Sequence, residues 1–347
     1  MRIVFAGSPH FAVPTLEALV AAWHEVIGVV TQPDRPVGRA QQIEPPPVKQ
    51  AALRLGLPVH QPEKIKSEAG RALLESLRPE CVVVVGYGQI LPPWLLELPR
   101  YGCINLHASL LPAYRGAAPI QWAIANGETK TGVTTMQMDP GMDTGPILLQ
   151  WETEIGAEET AVELSARMSV AGAKLMLDTL RELPAGTLVA QPQDDARASK
   201  APLLKKDYGL IDWSMTAQQI CNRLRGFTPW PGIYSGFRGK KLQIWGARPA
   251  RGRSQESEVR SQNQSRPSAH AQGHERKSNG DREGAVAEPG TPSTPGQLLV
   301  EKDRAWVACG SGTLLELLEV QLEGRRRMSA AEFLRGAPPQ PGERLRL

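Results

Sequence analysis

The chain has 347 residues, about 41% of them hydrophobic, with 40 Lys+Arg against 36 Asp+Glu and a formal net charge of +4. That is enough apolar surface for about two domains at ~150 residues each, and no run approaches the ~20 apolar residues of a membrane-spanning helix. The charge is uneven, net −5 over residues 1–199 and +9 over residues 200–347, which turns the second half toward a polyanion.

Residues 2–6 read as a first strand that Gly7-Ser8-Pro9 ends. A secretory leader would need ~7–15 apolar residues, so a cytoplasmic protein is expected. Pro14 suits the first turn of a helix carrying Leu16, Leu19 and Val20. A strand at 25–31 and helices at 48–55 and 69–77 follow. The run Cys81-Val82-Val83-Val84-Val85 suits a strand buried on both faces. Strands at 103–107 and 132–138 and a helix at 161–181 complete a Rossmann-like α/β domain with a parallel sheet, expected over residues 1–189. Residues 190–202 read as a linker. Beyond it, a helix at 216–225 and short segments at 241–245, 297–300, 304–309 and 313–320, set between Gly and Pro turns, suit a small OB-type β-barrel over residues 203–347. Residues 249–296 contain almost no large apolar side chain. They cannot bury enough surface to offset ordering entropy and are expected to form a disordered insertion. Cys81, Cys103, Cys221 and Cys309 form no C-x-x-C pair and read as reduced core residues.

Ligands of a doubly wound sheet bind beyond the carboxyl ends of its strands. In Asn105-Leu106-His107 the period of two sends Asn105 and His107 to one face. An amide beside an imidazole can stabilise a carbonyl oxygen that gains charge. The loop Asp139-Pro140-Gly141-Met142-Asp143-Thr144-Gly145 follows the strand at 132–138. If that strand lies beside the one ending at His107, Asp143 can bond the imidazole and favour its protonated form. The three groups suit acyl transfer to an amine, although polar residues at strand ends also serve as turn supports. Ala6-Gly7-Ser8-Pro9-His10-Phe11 holds one glycine where a dinucleotide fingerprint needs G-x-G-x-x-G, so NAD is not expected. Neither a phosphate loop nor a metal-ligand cluster is evident.

The run Asn105-Leu106-His107-Ala108-Ser109-Leu110-Leu111-Pro112-Ala113-Tyr114-Arg115-Gly116-Ala117-Ala118-Pro119-Ile120 resembles the signature of folate-dependent formyltransferases. The resemblance implies catalytic roles for Asn105, His107 and Asp143, with 10-formyltetrahydrofolate as formyl donor and neither metal nor NAD. It also implies reduced-folate contacts at Ser109, Leu110, Leu111 and Pro112, and places Gln89, Ile90 and the 139–143 loop beside the pterin ring. Thr31-Gln32-Pro33-Asp34-Arg35-Pro36-Val37-Gly38-Arg39 is similar to the loop with which the tRNA-formylating members of this family enter the acceptor end. That likeness assigns Arg39 to the tRNA. Ile211-Asp212-Trp213 and Phe227-Thr228-Pro229-Trp230-Pro231-Gly232 resemble landmarks of the C-terminal domain in the same members. The chain departs from them at Ala40-Gln41-Gln42, where a glycine and paired lysines often stand, so fewer phosphate contacts are expected. The implied activity is formylation of methionyl-initiator tRNA by a monomeric translation-initiation enzyme. A formyltransferase for a purine precursor or an amino sugar nucleotide shares the signature. A noncatalytic RNA-binding protein would not need all three catalytic residues, and a nicotinamide oxidoreductase is the remaining alternative.

Overall fold

The computed structural model describes residues 1–38, 41–250 and 294–346. These fall into two units, Met1–Lys206 with Arg225–Pro231, and Asp207–Leu224 with Gly232–Leu347. Arg39, Ala40 and residues 251–293 of the expected insertion lie outside the described residues.

The first unit begins with β1 (Arg2–Gly7), α1 (Val13–Ala21), β2 (Glu25–Val30), a hairpin of β3 (Arg35–Val37) and β4 (Gln42–Glu44), α2 (Pro47–Arg54) and β5 (Val59–His60). It continues through α3 (Glu68–Leu77), β6 (Cys81–Val85), α4 (Pro93–Glu97) and β7 (Cys103–His107). Then follow α5 (Pro119–Ala125), β8 (Lys130–Gln137), β9 (Ile147–Glu154) and α6 (Ala161–Glu182). The sheet order is β5-β2-β1-β6-β7-β8-β9. Strands β5 to β7 are parallel, but β8 runs antiparallel to β7, and β9 to β8. The parallel sheet expected from the sequence is therefore mixed. Strand β9 was not expected, because its residues alternate between partly buried and exposed. Such a pattern belongs to a strand solvated on one face rather than to a continuous apolar run.

Alternation along the central strands makes both cores. Ile3 and Phe5 of β1 and Cys81, Val83 and Val85 of β6 enter one core, which α1 and α6 also enter. Val4, Ala6, Val82 and Val84 enter the other. A capping box of Thr160 and Glu163 starts α6. Its Gly172 lies so close to β7 that an added Cβ would stand 2.7 Å from Leu106 Cδ2. The order reverses between β1 and β6, and this opens a crevice at their carboxyl ends. All four cysteines are buried, and none is in a disulfide. Residues 190–202 are hydrogen-bonded along the first unit. Gln191 and Ile147 exchange backbone bonds of 2.8 Å, and Ala201 N–H donates to Arg115 O at 2.7 Å.

The second unit carries β10 (Ile233–Phe237), β11 (Lys240–Pro249), β12 (Leu298–Glu301), β13 (Arg304–Ala308), β14 (Leu314–Leu322) and β15 (Met328–Ser329). Helix α7 (Ala217–Phe227) precedes them, and α8 (Ala330–Gly336), which was not expected, follows behind a capping box of Ser329 and Glu332. The antiparallel order is β10-β11-β14-β13-β12, with β15 on β14. Among the described residues this ladder is open, since β10 and β12 do not pair, so the expected OB-type barrel does not close strand to strand. The backbone of residues 343–346 bonds to both sides of the gap. Leu298 N–H donates to Glu343 O at 2.8 Å, Leu345 N–H to Gly296 O at 2.8 Å, and Arg346 N–H to Gly236 O at 2.9 Å.

One buried charge tests this sheet. Glu316 on β14 is 5% exposed and accepts from Arg248 Nε at 2.7 Å and Arg304 Nε at 2.8 Å. Burial pushes its carboxyl up, the two arginines outweigh that, and the net position is below the usual value. A lowered carboxylate adds stability above its unfolded pKa and loses it as pH falls through the folded one. Glu316→Gln should therefore cost about 1–3 kcal/mol at pH 7, and the deficit should shrink as the solution is acidified below the carboxylate range. Thermal melts of both forms across pH decide it; a constant gap would remove the ion pair from the stability balance.

Candidate active site

The crevice leads into a cavity of about 750 Å³, walled by the segments that leave β1, β6 and β7 and by Met142 and Asp143. Period two along β7 sends Ile104 and Leu106 into the first core and leaves Asn105 and His107, both on the wall, on the opposite side. These two side chains are almost buried, so their polar atoms need partners.

Those partners orient the imidazole. His107 Nε2 lies 2.9 Å from Tyr114 O. A carbonyl can only accept, so Nε2 carries the hydrogen and donates. Nδ1 then faces Asp143 Oδ2 at 3.6 Å. Tyr114 delivers its carbonyl from a left-handed backbone, φ +60°, an uncommon state for a bulky residue. Its N–H donates to Ser199 Oγ at 2.9 Å, and its hydroxyl donates to Glu128 Oε1 at 2.7 Å. Burial, followed by the Glu128 bond, pushes this phenol up to about 12, so it stays a donor at neutral pH.

Asp143 is held from several sides. Its Oδ2 accepts Gly116 N–H at 2.9 Å, and its Oδ1 lies 3.4 Å from Asn105 Nδ2. The backbone here is also left-handed, φ +57°, which aspartate tolerates better than most residues. Because β8 is antiparallel to β7, Gln137 pairs with Ile104 and Thr134 with His107. The 138–146 loop thus leaves beside the start of β7 and must run back to bring Asp143 to His107. Asp139 braces that loop by accepting from Gly141 N–H at 3.0 Å and from the Thr144 hydroxyl at 2.7 Å. Gln193 Nε2 braces it again, donating to Asp143 O at 2.9 Å and Gly145 O at 2.7 Å.

The other residues singled out from the sequence fall in different places around this centre. Ile90, 79% exposed, and Met142, 68% exposed, stand on the cavity wall as unburied apolar side chains. Gln89 also reaches the wall, but its amide is committed to Ile65 N–H at 2.8 Å and to Glu63 O at 3.3 Å. Ser109, Leu110, Leu111 and Pro112 do not line the cavity; their neighbour Ala108 does. They build the turn from His107 to Tyr114 instead, with the Ser109 hydroxyl on Ala113 O at 2.6 Å and Leu111 N–H on Thr134 Oγ1 at 3.1 Å. Arg39 is outside the described residues, and the segment before it is tied down where Lys49 Nζ meets Asp34 Oδ2 and Gln61 Oε1, both at 2.7 Å. Among the described residues no three His, Cys, Asp or Glu side chains could hold a metal ion, and no helix is long and apolar enough to cross a membrane. Sequence reasoning missed Tyr114, Gly116, Gln193 and Ser199. The first two lie inside the signature run, while the last two carry no local signal.

Residues 1–180 match the formyl transferase family, and residues 203–338 match the formyl transferase C-terminal domain. Relatives named methionyl-tRNA formyltransferase include one from Acidobacterium capsulatum, 48% identical across 99% of both chains. Another, from Solibacter usitatus, is 49% identical across 99% of this chain and 98% of its own. Among solved structures, the sugar 3N-formyl transferase WlaRD, crystallised in the presence of dTDP and 5-N-formyl-THF, matches with a TM-score of 0.61 at 16% identity over 94% of this chain and 99% of its own. HypX from Aquifex aeolicus, in complex with tetrahydrofolic acid, matches at 0.57 and 14% identity over 96% of this chain and 47% of its own.

Gly116 tests how tightly the site is framed. Its φ is +127°, and an added Cβ would stand 2.5 Å from Ala201 O. Gly116→Ala should lower stability by about 1–3 kcal/mol and pull the amide off Asp143. An unchanged melting temperature would show that the backbone has room to spare there.

Proposed function

The chain belongs to the formyl transferase family, and we propose that it moves the formyl group of 10-formyltetrahydrofolate onto the free amino group of methionyl-initiator tRNA, the step that yields formylmethionyl-tRNA for translation initiation. The observation that carries this reading is the near-complete, 48% identical match to relatives named for that reaction, joined to an amide, an imidazole and a carboxylate gathered on one cavity wall. The sugar formyltransferases share the fold at 16% identity, which leaves their amine substrate a weaker guide.

The chemistry runs on the groups described. The amine nitrogen attacks the formyl carbon, a C–N bond forms, and the carbonyl electron pair moves onto oxygen. Asn105 Nδ2 turns one hydrogen toward Asp143 and donates the other to that oxygen, a preorganised interaction of the oxyanion-hole type. The nitrogen that has attacked must lose a proton, and Nδ1 of His107 with the Asp143 carboxylate at 3.6 Å receives it. Collapse restores the carbonyl and breaks the bond to N10 of the folate, which departs with a proton. Tetrahydrofolate and the formylated amine are the products. Ile90 and Met142 offer apolar faces to the pterin ring, and the Ser109–Pro112 turn meets the folate through Ala108. Arg39 reaches the acceptor end, and the net +9 of residues 200–347 attracts the phosphate backbone.

Incubation with 10-formyltetrahydrofolate and charged initiator or elongator tRNA, followed by assay for formylmethionine, tests the whole reading. Product from neither tRNA would overturn it. His107→Ala and Asp143→Asn should each lower kcat by ~10²–10³ with folate affinity nearly unchanged. Near-wild-type turnover in either variant would dismiss the catalytic assignment. Arg39→Ala should raise KM for charged tRNA and leave folate binding alone; the reverse pattern would move the acceptor-end contact elsewhere.

A further inference from the structure

We infer that Gln193 is a positioning residue for the formyl transfer, acting through the backbone of Asp143. The inference rests on the formyltransferase reading above. Gln193 belongs to the 190–202 segment, which the sequence presents as a connector. Its amide fills four hydrogen-bonding roles at once. Nε2 donates to Asp143 O at 2.9 Å and to Gly145 O at 2.7 Å. Oε1 accepts from Arg115 Nε at 3.0 Å and Nη2 at 2.8 Å. Arg115 in turn holds Asp195 Oδ1 at 2.8 Å.

The set has one consistent arrangement. A guanidinium can only donate and a carbonyl can only accept, so the amide oxygen must face Arg115 and the amide nitrogen the loop. Asp143 needs such a brace. Its carboxylate has to stand near Nδ1 of His107, yet its loop returns from the far end of β7 and holds a left-handed residue, φ +57°. Few bonds inside the loop fix the Asp143 peptide itself, since Asp139 is engaged with Gly141 and Thr144. Gln193 supplies the fixed point from outside. A few bonds farther along, Ser199 accepts the N–H of Tyr114, whose carbonyl orients His107. One segment thus sets both members of the acid–base pair, and small displacements there are costly because catalysis needs the reacting groups within fractions of an ångström.

Gln193→Glu is the informative variant. It nearly preserves size and still accepts from Arg115, but it puts an oxygen against two carbonyl oxygens. Turnover of formylmethionyl-tRNA should fall about 10–100-fold, with KM for folate and for tRNA within about threefold of wild type. Gln193→Ala should fall comparably. In an Asp143→Asn background either change should cost less than about threefold, since a residue that works through Asp143 loses its effect once the carboxylate is gone. Backbone amide exchange at Gly116, whose N–H is held by the carboxylate, should accelerate in Gln193→Glu with no change in global melting. Equal losses in both backgrounds, or a KM change without a kcat change, would overturn the inference. If the wild-type chain itself formylated no amine, the functional reading would fail, and the Gly116 exchange rate would still decide whether Gln193 holds Asp143 in place.

Discussion

The donation from His107 Nε2 to the carbonyl of Tyr114 is the bond on which the site depends. It fixes which ring nitrogen carries the hydrogen, and so leaves Nδ1 as the atom that meets Asp143. To supply that carbonyl, Tyr114 must sit in a left-handed backbone that its side chain disfavours. The surrounding structure compensates with a buried phenol on Glu128 and a backbone N–H on Ser199. Gly116, two residues later, then brings its N–H to the Asp143 carboxylate. A chain of local necessities runs from one imidazole hydrogen to the shape of the 108–116 turn.

Some of this could be read in advance and some could not. The run of valines in β6 and the polar pair on β7 were legible because period two and continuous burial leave direct marks on a sequence. The direction of β8 left no such mark, since a strand carries the same residues whether its neighbour runs with it or against it. Reversal placed the Asp143 loop at the wrong end of β7 for a simple reading, and only its return path brings the carboxylate back. Strand β9 escaped notice because an outermost strand, wet on one side, alternates rather than clusters its apolar residues. The bracing by residues 190–202 was illegible for another reason. It rests on side-chain amides and backbone groups, and polar residues between Pro and Gly look the same in a strap as in a loose connector. The second sheet shows the limit of composition. Short strands suggested a barrel, but whether the ladder closes depends on the pairing of β10 and β12, and the backbone of 343–346 stands between their ends.

The two units differ in the side chains they present. The first carries the cavity, the His107–Asp143 pair and apolar side chains at the mouth, and its own residues sum to net −1. The second is basic, net +5 over its own residues, and carries an antiparallel sheet. A catalyst for small amines needs only the first kind of surface. A chain that must also hold a polyanion needs the second, and this chain carries both family domains along its length.

The strap of residues 190–202 also sets what length changes the chain can absorb. Gln191 pairs with Ile147, Gln193 with the Asp143 loop, and Ser199 and Ala201 with the turn around Tyr114 and Arg115. A 3-10 turn at Asp195–Arg197 separates the first two contacts from the last two, so adding or removing one residue between them would shift one set against the other. A single insertion or deletion there would release the supports of His107 and Asp143 together while touching neither residue. Residues that read as a spacer between domains are held to a fixed count by the hydrogen bonds they make.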